Sequence, residues 1–169
     1  MLALWAQHLS VKSLSDPIGS QWVNYHVFSA SLLAAGLFPG AHYWALCLIV
    51  DALEKKFDAK YPPAIQNLDI TAAAQYFIYA PKDILENPFR GISDDTGNLY
   101  SVAWGNESQL WFGGKGFSLS RWGFWKRRFG ELRVLEGLSD EAQQGARRAE
   151  VGMEKAERQG KKKGKKKGK

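Results

Sequence analysis

The sequence has a single cysteine, Cys47, among its 169 residues. One cysteine cannot form an internal disulfide, so the class of small secreted proteins that disulfides stabilise is excluded. Residues 1–9 also lack the basic start and the small-residue cleavage site of a secretory signal. We therefore expect an intracellular protein, cytoplasmic or nuclear, in which Cys47 is a small core residue rather than a nucleophile.

Charged side chains are missing from residues 17–50, a run of 34 residues without Asp, Glu, Lys or Arg. Such a run is long enough to raise the hypothesis of a membrane hairpin. However, Pro39 divides the run, and several polar side chains lower the hydrophobicity of its first part. We therefore predict two helices that pack against each other in a core, over residues 20–37 and 42–60, and the membrane hairpin is kept as an alternative.

Catalytic and metal-binding motifs are missing as well. The three histidines, His8, His26 and His42, show neither HExxH nor CxxC companion spacing. The GGKG sequence at residues 113–116 lacks the pattern of a phosphate loop, because Gln109 stands at the first required glycine and no Ser or Thr follows the lysine. We predict no catalytic residue, no metal ligand and no cofactor, and we expect His26 to be a hydrogen-bonded core residue.

Apolar spacing and turn residues predict further helices along the chain. A short apolar helix is predicted over residues 2–12. Asp69 is a candidate N-cap for a helix that begins at Ile70 and kinks or ends at Pro81. Residues 87–109 contain turn chemistry rather than periodicity, so we predict a long loop there.

Aromatic residues are concentrated between residues 110 and 132. Ser118 is predicted to cap a helix whose apolar residues recur at intervals of three, four and three, which places them on one buried stripe. The stripe consists of Trp122, Trp125, Phe129 and Leu132. Arg121 is predicted to be one of the solvated cations around it. The alternative is that the aromatic and basic side chains stack on and clamp a single-stranded nucleic acid.

The positive charge of the chain is concentrated at its end. Residues 161–169 hold seven lysines and no acid, so the rest of the chain has 23 − 7 = 16 basic and 17 acidic residues, a net charge of −1. Like charges and glycine cannot build a core, so a disordered tail is predicted. Its lysines are Lys161, Lys162, Lys163, Lys165, Lys166, Lys167 and Lys169. Before the tail, Ser139 is predicted to cap a last helix with a narrow apolar face.

The sequence around the aromatic stretch resembles a known family signature. The matching residues are Gly116-Phe117-Ser118-Leu119, Arg121-Trp122, Phe124-Trp125-Lys126 and Arg128. They are similar to the signature of a fungal family known only as a domain of unknown function, and residues 22–54 resemble that family's earlier helical hairpin. The resemblance implies a helical fungal protein and brings no activity, cofactor or catalytic residue. The chain departs from the pattern in its short N-terminus, in Gly123 and in its lysine tail.

The sequence thus predicts an all-α fold, a compact bundle of about five to six helices over residues 1–160, followed by a disordered tail over residues 161–169. The predicted function is that of an interaction or scaffold module with an aromatic-lined groove, which binds a protein partner or an apolar small molecule. The candidate binding residues are Trp104, Trp111, Lys115, Arg121, Trp122, Trp125 and Arg128. The alternative is a nuclear or RNA-associated protein whose tail makes weak contacts with phosphate.

Overall fold

The computed structural model describes residues 16–37, 41–57, 62–86, 108–113 and 118–166, with the backbone alone at 41, 43, 161 and 163–166. Within these ranges the chain forms six helices and no strand. They are α1 (Pro17–Ala34), α2 (Ala41–Leu53), α3 (Pro63–Tyr79), α4 (Pro81–Glu86), α5 (Leu119–Leu132) and α6 (Asp140–Lys166). The predicted all-α class is therefore confirmed for these ranges. The helix predicted at residues 2–12 and most of the loop predicted at 87–109 lie outside them.

Helix α3 lies at the centre of the bundle. It contacts α1, α2 and α6, so most side chains from Ile65 to Phe77 are buried. Pro63 occupies its first turn, where a proline is favourable because the backbone N–H at that position has no partner within a helix. The prediction that Asp69 caps a helix from Ile70 is therefore wrong. The helix begins seven residues earlier, and Asp69 is buried in its interior.

Helices α1 and α2 form the predicted pair, although their ends differ from the prediction. Asp16 caps α1 by accepting a hydrogen bond from the Ile18 amide at 3.0 Å, and Pro17 takes the first position, so α1 begins three residues before the expected start. It is followed by a left-handed turn at Gly36, whose φ is +68°. Helix α2 ends seven residues before the predicted end, and the carbonyl of the next residue, Glu54, accepts hydrogen bonds from the amides of Gln109 and Leu110. In the part of the chain that the structure describes, no helix has both the length and the apolar character needed to span a membrane.

Helix α5 carries the predicted aromatic stripe. The Ser118 hydroxyl accepts a hydrogen bond from the amide three residues later at 3.1 Å, which confirms the predicted N-cap. All four residues of the stripe are buried. The ring of Phe77 on α3 has its centroid 5.6 Å from that of Trp122, 5.9 Å from that of Trp125 and 5.1 Å from that of Phe129. These tilted and edge-to-face contacts are the arrangements that aromatic pairs prefer, so Phe77 joins α3 to α5.

Helix α6 packs along α3, α4 and α5. Ser139 accepts a hydrogen bond from the amide three residues later at 3.2 Å, which confirms the predicted cap. The alanine face is buried against α3, and a Cβ at Gly152 would collide with the carbonyl oxygen of Phe77. The backbone remains helical to Lys166, so α6 extends six residues into the segment for which composition predicts disorder. Lysines near the C-terminal end of a helix are favourable because that end carries partial negative charge.

The close contact between α3 and α6 can be tested with two glycine substitutions on one helix. We expect Gly152→Ala to lower the free energy of unfolding by roughly 1–3 kcal/mol, because the added methyl group forces the backbone of α6 away from Phe77. Gly145→Ala is the matched control, since its methyl group would lie 3.5 Å from Ala74 Cβ and 3.7 Å from Thr71 Cα, which are ordinary contacts.

Alanine is favoured over glycine in a helix by about 1 kcal/mol, so Gly145→Ala should be neutral or stabilising. Urea denaturation followed by circular dichroism measures both variants under the same conditions. Equal denaturation midpoints for the two variants would contradict the close approach at Gly152.

Candidate functional site

The candidate binding residues predicted from the sequence lie in different environments. The buried residues are Arg121, Trp122 and Trp125. The partly exposed residues are Trp111 and Arg128, and two further candidates, Trp104 and Lys115, lie outside the described residues. The buried three belong to the core of the bundle, so a partner at the surface can reach only Trp111 and Arg128 among the described candidates.

The tail lysines are described only in part. Lys162 is exposed on α6. The backbone is helical at Lys161, Lys163, Lys165 and Lys166, whose side chains are not described, and Lys167 and Lys169 lie outside the described residues.

Arg121 forms a buried ion pair with Glu54. Its Nε donates to Glu54 Oε1 at 2.7 Å, and one terminal guanidinium nitrogen donates to Oε2 at 2.8 Å, so the contact is bidentate. The indole Nε1 of Trp125 donates to Oε1 of the same carboxylate at 2.6 Å. Both charged side chains are 0% exposed. The prediction that Arg121 is solvated is therefore wrong, because a carboxylate rather than water compensates its charge.

Local structure brings the two charges together. Glu54 is the first residue after α2, and its amide still donates to the Val50 carbonyl at 2.9 Å, so the backbone there continues the turn of the helix. Arg121 and Trp125 are four residues apart on α5 and therefore lie on one face of that helix. The guanidinium carbon of Arg121 is 5.6 Å from the centroid of the Trp125 ring, within the range of a cation–π contact. The ion pair thus fixes the end of α2 against the first turns of α5.

The backbone of Glu54 holds a third part of the chain. Its carbonyl oxygen accepts hydrogen bonds from the amides of Gln109 at 2.8 Å and Leu110 at 2.9 Å. In the other direction, the amide of Lys56 donates to the side-chain oxygen of Gln109 at 2.8 Å. The amide of Trp111 donates to the Ser108 hydroxyl at 2.9 Å. Residues 108–113 are therefore held against the end of α2 without being helical themselves.

This held segment presents aromatic side chains at the surface. The ring of Trp111 lies 5.5 Å from that of Phe124 on α5, and Phe112 beside it is 90% exposed. A Cβ at Gly113 would collide with the Trp111 indole, so glycine is needed for the ring to fold back here. On the next turn of α5, the guanidinium carbon of Arg128 lies 5.0 Å from the centroid of the ring of Phe57. We call this group the aromatic surface, and its members are Phe57, Trp111, Phe112, Phe124 and Arg128, together with Arg127, which is exposed on α5 one turn after Phe124.

Sequence reasoning missed Glu54 as a site residue, although a signal was present. Glu54 follows Val50 by four positions and precedes Phe57 by three, so in a helix its carboxylate shares a face with these two apolar residues. Charged side chains are almost never fully buried unless they are paired. A charge on an apolar stripe therefore indicates a buried partner, but it does not identify that partner.

Two further polar residues considered in the sequence are His26 and Cys47. His26 Nδ1 and the Tyr76 hydroxyl form a buried hydrogen bond at 2.9 Å, which agrees with the prediction of a hydrogen-bonded core histidine. Burial raises the pKa of the Tyr76 hydroxyl above its ordinary value. Cys47 is partly exposed rather than fully buried. Within the described ranges no cluster of His, Cys, Asp and Glu side chains is arranged to hold a metal ion.

The buried ion pair can be tested by removing one charge or both. We expect Arg121→Met to lower the free energy of unfolding by roughly 3–5 kcal/mol, since it leaves the Glu54 carboxylate buried without its counter-charge. The double variant Arg121→Met with Glu54→Gln removes both charges and keeps an oxygen acceptor for Trp125 Nε1. The free energy of unfolding lost in the double variant should be smaller, by about 1–3 kcal/mol, than the sum of the losses in Arg121→Met and Glu54→Gln alone.

An exposed ion pair of similar length provides the control. Arg158 and Glu154 are 3.0 Å apart with side chains that are 72% and 42% exposed, so Arg158→Met should cost less than about 1 kcal/mol. Urea denaturation at one pH gives all the values. Strictly additive costs for the Glu54 and Arg121 substitutions would show that the two charges do not stabilise each other.

A comparison with known proteins assigns the family. The family model described as "Protein of unknown function (DUF3632)" matches residues 2–129, which include Glu54, Arg121 and Trp125 and end before α6. No curated protein and no solved structure gives a significant match. The fungal origin implied by the sequence signature is not tested by this match and stays a prediction. Because the match covers well over half of the chain, the protein belongs to the family of unknown function DUF3632.

Proposed function

We propose that the protein is an intracellular interaction module that binds a protein partner through the aromatic surface. The observation that supports this most directly is Phe112, a large apolar side chain that is 90% exposed although the backbone on its N-terminal side is fixed by hydrogen bonds. An isolated exposed apolar residue needs no explanation, but here it stands beside the partly exposed ring of Trp111. Clustered aromatic and arginine side chains are typical of the residues that dominate binding energy at interfaces.

The anchoring of residues 108–113 favours binding. Three backbone or side-chain contacts connect this segment to Glu54 and Lys56, and a ring contact connects Trp111 to Phe124. A segment that is ordered before binding loses less conformational entropy when a partner arrives. The buried ion pair therefore supports the proposed site indirectly, because it fixes the residue to which the segment is hydrogen-bonded.

The charge of the surface indicates the chemistry of the partner. Arg127 is exposed on α5, one turn after Phe124. Arg128 covers the ring of Phe57 and is paired with Glu131 at 2.9 Å, so Arg127 is the cation that is more available to a ligand. The partner that fits is a peptide segment with an apolar anchor flanked by carboxylates.

An intracellular location, in the cytoplasm or the nucleus, is part of the proposal. Its support is the single cysteine, which gives the chain no means of forming an internal disulfide. The aromatic surface requires neither a cofactor nor a metal for the proposed binding.

The proposal predicts the effect of replacing one exposed phenylalanine but not another. A panel of synthetic peptides of equal length carries a central Phe-Leu anchor flanked by Glu, Ser or Lys, and fluorescence anisotropy measures the dissociation constants. The Glu-flanked peptide should bind most tightly, and Phe112→Ser should raise its dissociation constant at least about tenfold. Phe28→Ser is the matched control, because Phe28 is 60% exposed on α1 and outside the aromatic surface.

A further variant tests whether the held geometry matters. Gly113→Ala should also weaken the binding of this peptide, since the added methyl group displaces the Trp111 ring without removing any surface side chain. Equal losses for Phe112→Ser and Phe28→Ser, or equal binding of the three peptides, would refute the proposed surface.

A further inference from the structure

Two acidic side chains of helix α6, those of Glu150 and Glu157, face the bundle. Glu157 accepts hydrogen bonds from Trp122 Nε1 and Lys126 Nζ, both at 2.9 Å. Glu150 lies 3.3 Å from Nε of Arg133. These partners lie on α5 or directly after it, so two acidic side chains of α6 are neutralised against the bundle.

The outer side of α6 is basic and exposed. Five cationic side chains occur there with helical spacing, and each of them is exposed. We call this group the basic face, and its members are Arg147, Arg148, Lys155, Arg158 and Lys162. Within the described ranges only Arg158 pairs with a carboxylate, that of Glu154 at 3.0 Å. The charges of the other four members are therefore available to an anion.

The side chains of the basic face fall into two rows along α6. A helix rises 1.5 Å per residue, so the distance along the axis from Arg148 to Lys162 is about 21 Å. A turn of 3.6 residues places Arg147 and Arg158 in one row and Arg148 and Lys155 in a second row, with Lys162 between them. Positions 165 and 166, where the backbone is still helical, continue the register of the two rows. The helix of the basic face thus continues into the lysine-rich segment, to position 166.

We propose that the basic face binds the phosphate backbone of duplex DNA, with α6 lying along the major groove and one row of cations directed at each strand. The major groove of B-form DNA is about 12 Å wide and admits a helix. Two rows of cations on one exposed side match the two lines of phosphates that border the groove. The contacts are with phosphate, so the binding is independent of base sequence. This proposal does not depend on the aromatic surface.

Other polyanions fit the basic face less well. An amphipathic helix binds a membrane by inserting its apolar side, but the apolar side of α6 is buried against α3. Single-stranded nucleic acid is bound through aromatic stacking, and Val151 is the one large hydrophobic side chain among the exposed residues described on this helix. Duplex RNA has a deep and narrow major groove that excludes a helix.

The basic face lies in a part of the chain that the family description does not cover. The family model ends at residue 129, whereas α6 begins at Asp140. The sequence alone indicated a body with a net charge of −1, in which only the tail was basic. In the structure, Arg121 of α5 is buried, and the exposed cations of the basic face lie on the outside of α6.

The test is a salt titration of the full-length chain with a labelled DNA duplex of about two helical turns. Fluorescence anisotropy gives the association constant at salt concentrations between about 50 and 200 mM. The variant Arg148→Gln/Lys155→Gln removes two members of the basic face. The control Lys55→Gln/Lys56→Gln removes two positive charges at the end of α2 and gives the same net charge.

The expected result is a change of slope that only the α6 variant shows. Each phosphate contact contributes about −0.9 to the slope of log K against log salt concentration, so Arg148→Gln/Lys155→Gln should reduce the slope by about 1.8. The control should leave the slope unchanged. Duplexes of unrelated sequence should give the same values.

A second full-length variant separates the basic face from the tail. It replaces the lysines after the basic face, as Lys163→Gln, Lys165→Gln, Lys166→Gln, Lys167→Gln and Lys169→Gln. Salt-dependent binding should persist in this variant. Adding Arg148→Gln and Lys155→Gln to it should again reduce the slope of log K against log salt concentration. Three results would overturn the proposal: equal slopes for the α6 variant and its control, loss of all binding in the tail variant, or equal or tighter binding to duplex RNA or phosphatidylserine vesicles.

Discussion

A carboxylate and a guanidinium that water does not reach hold three separate parts of this chain at one point. The side chain of Glu54 binds Arg121 and Trp125 of α5, while its carbonyl oxygen binds the amides of residues 109 and 110. A buried ion pair adds little stability relative to an apolar replacement, but each charge requires the other. We infer that the contribution of the pair is positional, since it fixes where α5 and the held segment lie relative to α2.

Local sequence signals predicted α5 well and α3 poorly. Ser118 and the spacing of Trp122, Trp125 and Phe129 act within one helix, and the structure confirms both. The predicted start at Ile70 did not take Pro63 into account, although a proline suits the first turn of a helix as well as the residues that follow a helix. Because proline fixes φ and lacks an N–H at either place, local sequence does not show which of the two places a proline marks.

Charge was the property that sequence reasoning predicted least well. Arg121 was predicted to be solvated because its partner Glu54 lies 67 positions earlier, beyond the reach of any periodic pattern. The net charge of −1 for residues 1–160 did not indicate a basic face on α6, because a net charge does not show on which side of a helix the charged residues lie. Carboxylates that face α5, such as Glu150 and Glu157, cancel outward-facing cations in the count but not at the surface.

The two amide hydrogen bonds to the Glu54 carbonyl have a thermodynamic consequence. They connect an exposed segment to a carbonyl whose own residue is buried, so the free energy of holding residues 108–113 in place depends on the integrity of the core. Linkage between two equilibria is reciprocal. A ligand that binds only the held conformation of the segment must therefore raise the melting temperature of the whole bundle, in proportion to the logarithm of its concentration once the site is saturated.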